Sequence, residues 1–231
     1  MKPIISFEGN STISALCSAT CAAFDMTMAD KHKISYELLT LQGMSGRNYR
    51  KFINNLVGSI DECRYLEIGS WMGSTLCSAL YKNDVTTFAI DNWSQFEGPQ
   101  HRFFLNLSKF VNTKSKVNIL NSDFRAVRYD SIGKHNIYLF DGPHEYQDQF
   151  DALAMVSPAL DQEIVFIVDD WNWPHVRDGT LDAIRNTGWL CDYNIQIRST
   201  DNDIHPGEQG LPADESSDWH NGYFIGVLRR A

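Results

Sequence analysis

From residue 64 onward, short apolar runs alternate with amphipathic ones. The runs at 64–68, 85–91, 116–120, 136–141, 163–169, 189–197 and 222–228 are rich in β-branched and aromatic residues and read as strands. Between them, apolar residues recur at helical spacing over 74–82, 99–110, 145–156 and 175–187, with a weaker helical signal at 124–130. Ile164-Val-Phe-Ile-Val168 is apolar without a break, as in a central strand covered on both faces. This alternation predicts an α/β fold: a Rossmann-like, doubly wound, seven-stranded sheet that is mostly parallel. Only the polar loop 199–218 separates the last two strands, so the final strand is expected to be antiparallel. That loop is long enough to serve as a mobile flap.

Ahead of this pattern, residues 1–55 read as an N-terminal helical extension to a domain spanning 56–231. Asn10-Ser-Thr is placed to cap a helix beginning at Ile13, Gly43-Met-Ser-Gly46 breaks the chain, and Tyr49 to Val57 returns to helical spacing.

At 231 residues, 43% hydrophobic and 21% charged, the chain suits one globular domain with a modest extension. Its net charge of −9, without a Lys/Arg stripe, argues against a nucleic-acid partner and for a small-molecule acceptor. Five cysteines without a CxxC pair suit free thiols in a reducing compartment. The acid in Met1-Lys-Pro-Ile-Ile-Ser-Phe-Glu8 interrupts any signal-peptide pattern, and no run approaches the roughly 20 apolar residues of a membrane span. A cytoplasmic protein without a membrane partner is expected, with the N-terminal extension available for homo-oligomer contacts.

The chemistry concentrates at the predicted strand ends. In Arg64-Tyr-Leu-Glu-Ile-Gly-Ser-Trp-Met-Gly-Ser-Thr75 a strand ends in Glu67, turns at Gly69 and Gly73, and enters a helix. Glycines let a ligand approach the backbone closely, and helix amides supply donors. An acid there favours a cation or hydroxyl over a pyrophosphate, which points to S-adenosylmethionine (SAM) rather than a dinucleotide. Further acids follow the other strands: Asp91, Asp123, Asp141, and the pair Asp169-Asp170. Asp91 suits the hydroxyls of a ribose. Trp93 suits either an adenine face or the core, and Asp123-Phe124 suits the adenine amino group and ring. Asp141, Asp169 and Asp170 are oxygen donors fit for a hard ion such as Mg²⁺. Alternatively, Asp170 caps the next turn or pairs with Arg177. His144 suits a general base near neutrality, or else a helix cap.

Together these residues resemble a class I SAM-dependent methyltransferase, and in particular the macrocin-type O-methyltransferase branch with its uncharacterised bacterial and phage relatives. The resemblance covers about 60–190 and rests on Glu67 to Thr75, Asp91, Asp141-Gly-Pro-His-Glu-Tyr146 and Asp169-Asp170. It implies that Glu67, Gly69, Ser70, Gly73 and Ser74 hold the methionine end of SAM and that Asp91 holds the ribose. It also implies a metal site at Asp141, Asp169 and Asp170, as in catechol-type relatives. Trp71 and Met72 replace the glycine common between the two motif glycines. The expected activity is methylation of a hydroxyl on a small molecule, a sugar or polyhydroxylated metabolite, with Asp141 and His144 at the reacting centre. A non-catalytic SAM-binding or scaffold protein is the alternative. An NAD-dependent oxidoreductase fits less well, because Gly69 and Gly73 do not make GxGxxG.

Overall fold

One mixed sheet of eight strands organises the computed structural model, which describes residues 2–111, 114–209 and 217–231. The strands are β1 (Ile4–Gly9), β2 (Arg64–Ile68), β3 (Thr86–Asp91), β4 (Lys116–Asn121), β5 (His135–Phe140), β6 (Leu160–Asp169), β7 (Trp189–Arg198) and β8 (Tyr223–Arg230). They lie in the order β1-β7-β8-β6-β5-β2-β3-β4. The run from β4 through β6 is parallel, whereas β8 is antiparallel to both β6 and β7. Seven strands and the antiparallel last one follow the expected pattern. The eighth, β1, was missed because Ile4 and Phe7 remain about half exposed, which removes the alternation that marks a strand. It pairs antiparallel with β7, from Ile4 opposite Arg198 to Gly9 opposite Tyr193.

The helices are α1 (Ala15–Met28), α2 (Tyr36–Leu39), α3 (Arg47–Ser59), α4 (Ser74–Leu80), α5 (Gln100–Phe110), α6 (Tyr146–Val156) and α7 (Pro174–Asn186). Ser14, rather than Asn10, caps α1 by accepting from the Cys17 amide, and Asn10 Oδ1 instead accepts from Thr12 N in a local turn. The helix expected at 124–130 is two 3₁₀ turns, Phe124–Ala126 and Tyr129–Ser131, broken by extended Val127. Tyr129 Oη donates to the Phe124 carbonyl across that break.

Alternation along β6 separates two apolar layers. Val165 and Ile167 pack with α1, α3 and α4, while Ile164, Phe166 and Val168 pack with α6 and α7. The N-terminal region is continuous with this core, since β1 joins the sheet and α3 runs across residue 55. Asn54, buried on α3, donates to Ser78 O and Tyr81 O and so satisfies carbonyls at the end of α4.

Candidate active site

The chain order reverses between β2 and β5, the position where open α/β sheets form a crevice beyond their strand ends. Gly69 holds that crevice open. Its φ is +85°, and a Cβ there would lie 1.7 Å from the Asp141 carbonyl oxygen. Asp141 N donates to Ile68 O at 2.9 Å, so β2 and β5 are bound together where the glycine turn leaves the sheet. Above them opens a cavity of about 490 Å³.

One half of the cavity is the glycine turn and the end of β3. Asp91 fixes the turn: Oδ2 accepts from Ser70 N and Trp71 N, both at 2.8 Å, and Oδ1 accepts from Trp93 N at 2.6 Å. Ser70, Ser74, Asp91, Trp93, Asp123 and Phe124 all line the wall. Trp93 serves both of its expected environments: it borders the cavity, yet its ring packs on Phe103 at 5.1 Å and its Nε1 donates to Trp71 O. Asp123 is exposed and caps a 3₁₀ turn through Arg125 N, and Phe124 is buried edge-on against Phe140.

Glu67 and Gly73 stand behind the wall. Glu67 is fully buried, with Oε2 accepting from Tyr65 Oη and Oε1 accepting from Ser70 Oγ and Thr75 Oγ1. Burial still dominates these three donors and raises its pKa from the ordinary 4.5 to about 7. Its reach to the cavity therefore runs through Ser70 and Thr75, which do border it. Gly73 caps α4 at φ +82° and packs on Phe103.

The other half is acidic and imidazole-rich. Asp141, His144, Asp169 and Asp170 share it with His205 and His220. His144 Nε2 is in close ionic contact with Asp170 Oδ2 and lies 4.0 Å from Asp141 Oδ1. Burial opposes a charged His144, but the Asp170 contact outweighs it and raises the pKa. Burial likewise works against the Asp170 carboxylate, yet His144 and Asn221 hold its pKa low. Asp141 and Asp169 go the other way: burial, then the neighbouring carboxylates, lift both well above the usual range. Helix α6 is capped by a reciprocal Glu145–Asp148 box, so His144 has no capping duty. Arg177 pairs with Asp203 and the Trp171 and Asn172 carbonyls rather than with Asp170.

His220 was not legible as a site residue, because it sits fifty positions from Asp170 before a strand of unremarkable pattern. Its only local signal is the turn His220-Asn221-Gly222, where Asn221 Nδ2 donates to Asp170 Oδ1 at 2.6 Å. His205 comes from the described part of loop 199–218; residues 210–216 of the expected flap lie outside the described residues.

A comparison with family models bears on this crevice. Residues 66–171 match the model described as "Methyltransferase domain". This stretch, somewhat under half of the chain, is similar to a methyltransferase domain. No curated protein sequence matches the chain. Among solved structures it is similar to TrmN from Thermus thermophilus, at 11% identity and a TM-score of 0.54, over 84% of this chain and 52% of that one. It is also similar to a putative methyltransferase complexed with S-adenosylhomocysteine (10% identity, TM-score 0.55, 81% and 50% of the two chains). A putative RNA methyltransferase from Pyrococcus horikoshii is covered almost whole (14% identity, TM-score 0.52, 91% and 99%). The chain spans about half the length of the first two. At these identities the likeness is one of fold, and it does not single out the macrocin-type branch.

The exclusion of nucleic acid drawn from net charge does not stand. A chain of this fold is described as a putative RNA methyltransferase. Whole-chain charge also averages over faces and says little about any one of them. No helix among the described residues is long and apolar enough to cross a membrane.

Proposed function

We propose that this protein transfers the methyl group of SAM to a hydroxyl oxygen of a small polyhydroxylated acceptor. The observation that carries the reading is the two-ended cavity at the switch point. Its glycine-turn half offers amides, hydroxyls and the Asp91 carboxylate, and its other half offers a base beside clustered carboxylates. In this reading Gly69, Ser70 and Ser74 seat the methionine end, with Glu67 behind Ser70 and Thr75 supplying negative potential toward its ammonium. Asp91 and Trp93 border the ribose, and Asp123 and Phe124 the adenine.

The sulfonium is an activated donor, so the chain's task is alignment and proton removal. Alignment of two reactants supplies roughly 7–11 kcal/mol in well-oriented systems. As the acceptor oxygen attacks, the carbon–oxygen bond forms, the carbon–sulfur bond breaks and S-adenosylhomocysteine departs. The hydroxyl proton passes to His144, whose imidazolium Asp170 stabilises, with Asp141 4.0 Å from the same nitrogen. Asp141 and Asp169, buried carboxyls both lifted above the usual range, are with Asp170 the oxygen donors that would hold a divalent ion. When bound, such an ion supplies Lewis acidity that lowers the acceptor hydroxyl's pKa. The five free cysteines accord with a reducing, cytoplasmic setting.

Calorimetry with S-adenosylhomocysteine, followed by methyl transfer from labelled SAM to a panel of sugars, polyols and RNA, tests the reading. Micromolar binding and label on a hydroxyl of a small acceptor are expected. A protein that binds neither SAM nor its product overturns it.

A further inference from the structure

The turn between α2 and α3, residues 40–46, lies ahead of the stretch that matches the methyltransferase model, yet its Met44 borders the cavity. Gly43 in the same turn passes so close to Ser74 that a Cβ there would lie 2.2 Å from Ser74 Oγ. Arg50 of α3, only 3% exposed, holds the turn in place. Its Nη1 donates to the carbonyls of Leu38, Leu39 and Leu41 at 3.1, 3.2 and 2.6 Å, and Nη2 donates to Gly43 O at 3.2 Å. Nε donates to Ser45 Oγ at 2.9 Å. A guanidinium taken this far out of water is costly, whereas an apolar side chain could fill the same space without desolvation. A cation here therefore calls for a use beyond packing.

The bond to Ser45 supplies one. A guanidinium has donors only, so Ser45 Oγ accepts from Arg50 and its own hydrogen is free for Ser74 Oγ, 2.9 Å away. Ser74 Oγ makes no other hydrogen bond among the described residues, and Ser74 lines the cavity. In that order of donors, the Ser74 hydrogen is left for whatever occupies the cavity beside the glycine turn. Successive donors polarise one another, and a cation at the far end strengthens the last of them toward an anion. The neighbouring wall has the opposite polarity. Ser70 Oγ and Thr75 Oγ1 give their hydrogens to Glu67 and so present lone pairs, which suit an ammonium group. A hydroxyl backed by a cation beside hydroxyls backed by a carboxylate matches the two charges of an α-amino acid.

We propose that Arg50, acting through Ser45 and Ser74, positions the α-carboxylate at the amino-acid end of the donor. Residues 40–46 are then part of the donor site, although they precede its glycine turn. Arg50 is a positioning residue here, and Ser74 is the group that touches the ligand. The inference deepens the SAM reading above and rests on it.

Calorimetry on the full chain compares S-adenosylhomocysteine with its decarboxylated analogue, which keeps the nucleoside, the thioether and the amine. The native protein is expected to bind S-adenosylhomocysteine about 10–100-fold more tightly, the usual worth of a hydrogen bond to a charged group. Ser45→Ala and Arg50→Gln should each remove most of that preference while leaving affinity for the analogue unchanged. Equal affinity of the native protein for the two ligands overturns the assignment, as does a preference that survives intact in Ser45→Ala. A variant that weakens both ligands equally also overturns it, because Arg50 and Ser45 would then serve the shape of the site alone. Should Arg50→Gln not fold, the native comparison and Ser45→Ala decide. Equal binding of both ligands removes this inference and leaves the methyltransferase reading standing, whereas binding of neither removes both.

Discussion

Glu67→Gln probes the electrostatics of the glycine turn with almost no change in shape. Glu67 is wholly buried, and its pKa rises from 4.5 to about 7 because three hydroxyl donors do not repay the lost hydration. A carboxyl whose pKa is higher folded than unfolded supports the fold when protonated and loses that support as pH rises through the folded value. At about 1.4 kcal/mol per pKa unit, a shift of 2.5 units approaches roughly 3 kcal/mol once pH is well above 7. Part of that loss is already incurred at pH 5, because the unfolded glutamate is largely ionised there. Between pH 5 and pH 8 the native protein should therefore lose about 2.5 kcal/mol relative to the Gln variant. Urea unfolding of both proteins at several pH values measures this difference directly. A gap that stays constant across the series refutes the argument, because Tyr65, Ser70 and Thr75 would then compensate the buried charge in full.

Four other outcomes follow from the same geometry. Gly69→Ala should unfold or strongly destabilise the chain, since the left-handed backbone alone costs about 1–2 kcal/mol before the contact with Asp141 O is relieved; a melting temperature within a few degrees of native would contradict this. Asp91→Ala should abolish S-adenosylhomocysteine binding by releasing the Ser70, Trp71 and Trp93 amides, and retained micromolar affinity in calorimetry would remove Asp91 from the donor site. Asp123→Ala should cost about 0.5–2 kcal/mol of stability through the lost cap on the Arg125 amide while weakening the same ligand, so an unchanged affinity would place adenine elsewhere. His144→Gln should lower kcat roughly 10²–10⁴-fold with little effect on KM for SAM. Because the Asp170 contact raises the His144 pKa, native activity should rise with pH through a value above the ordinary histidine range, and a flat pH–rate profile would deny His144 the role of base.

The parallel strands were readable because their apolar runs are short, uninterrupted and separated by helical periods. β1 was not, because an edge strand with half-exposed Ile4 and Phe7 shows no alternation. The rim acids Asp91, Asp141, Asp169 and Asp170 were readable from their position after strands, and the structure brings them to one cavity. What Glu67 touches was hidden, since Tyr65, Ser70 and Thr75 could equally have faced solvent. His220 was hidden for a topological reason: only the insertion of β8 between β6 and β7 carries it to Asp170.

That insertion has a consequence for how the molecule is made. Residues 223–230 form the partner that both β6 and β7 need on one edge, so during synthesis each of those strands has one open ladder until these residues have emerged. Any transient pairing of β6 directly with β7 would have to be undone before β8 could enter. Asp141, His144, Asp169 and Asp170 all precede β8 in the chain, so the acidic half of the site is encoded before it, and His220 is the member that the entry of β8 adds.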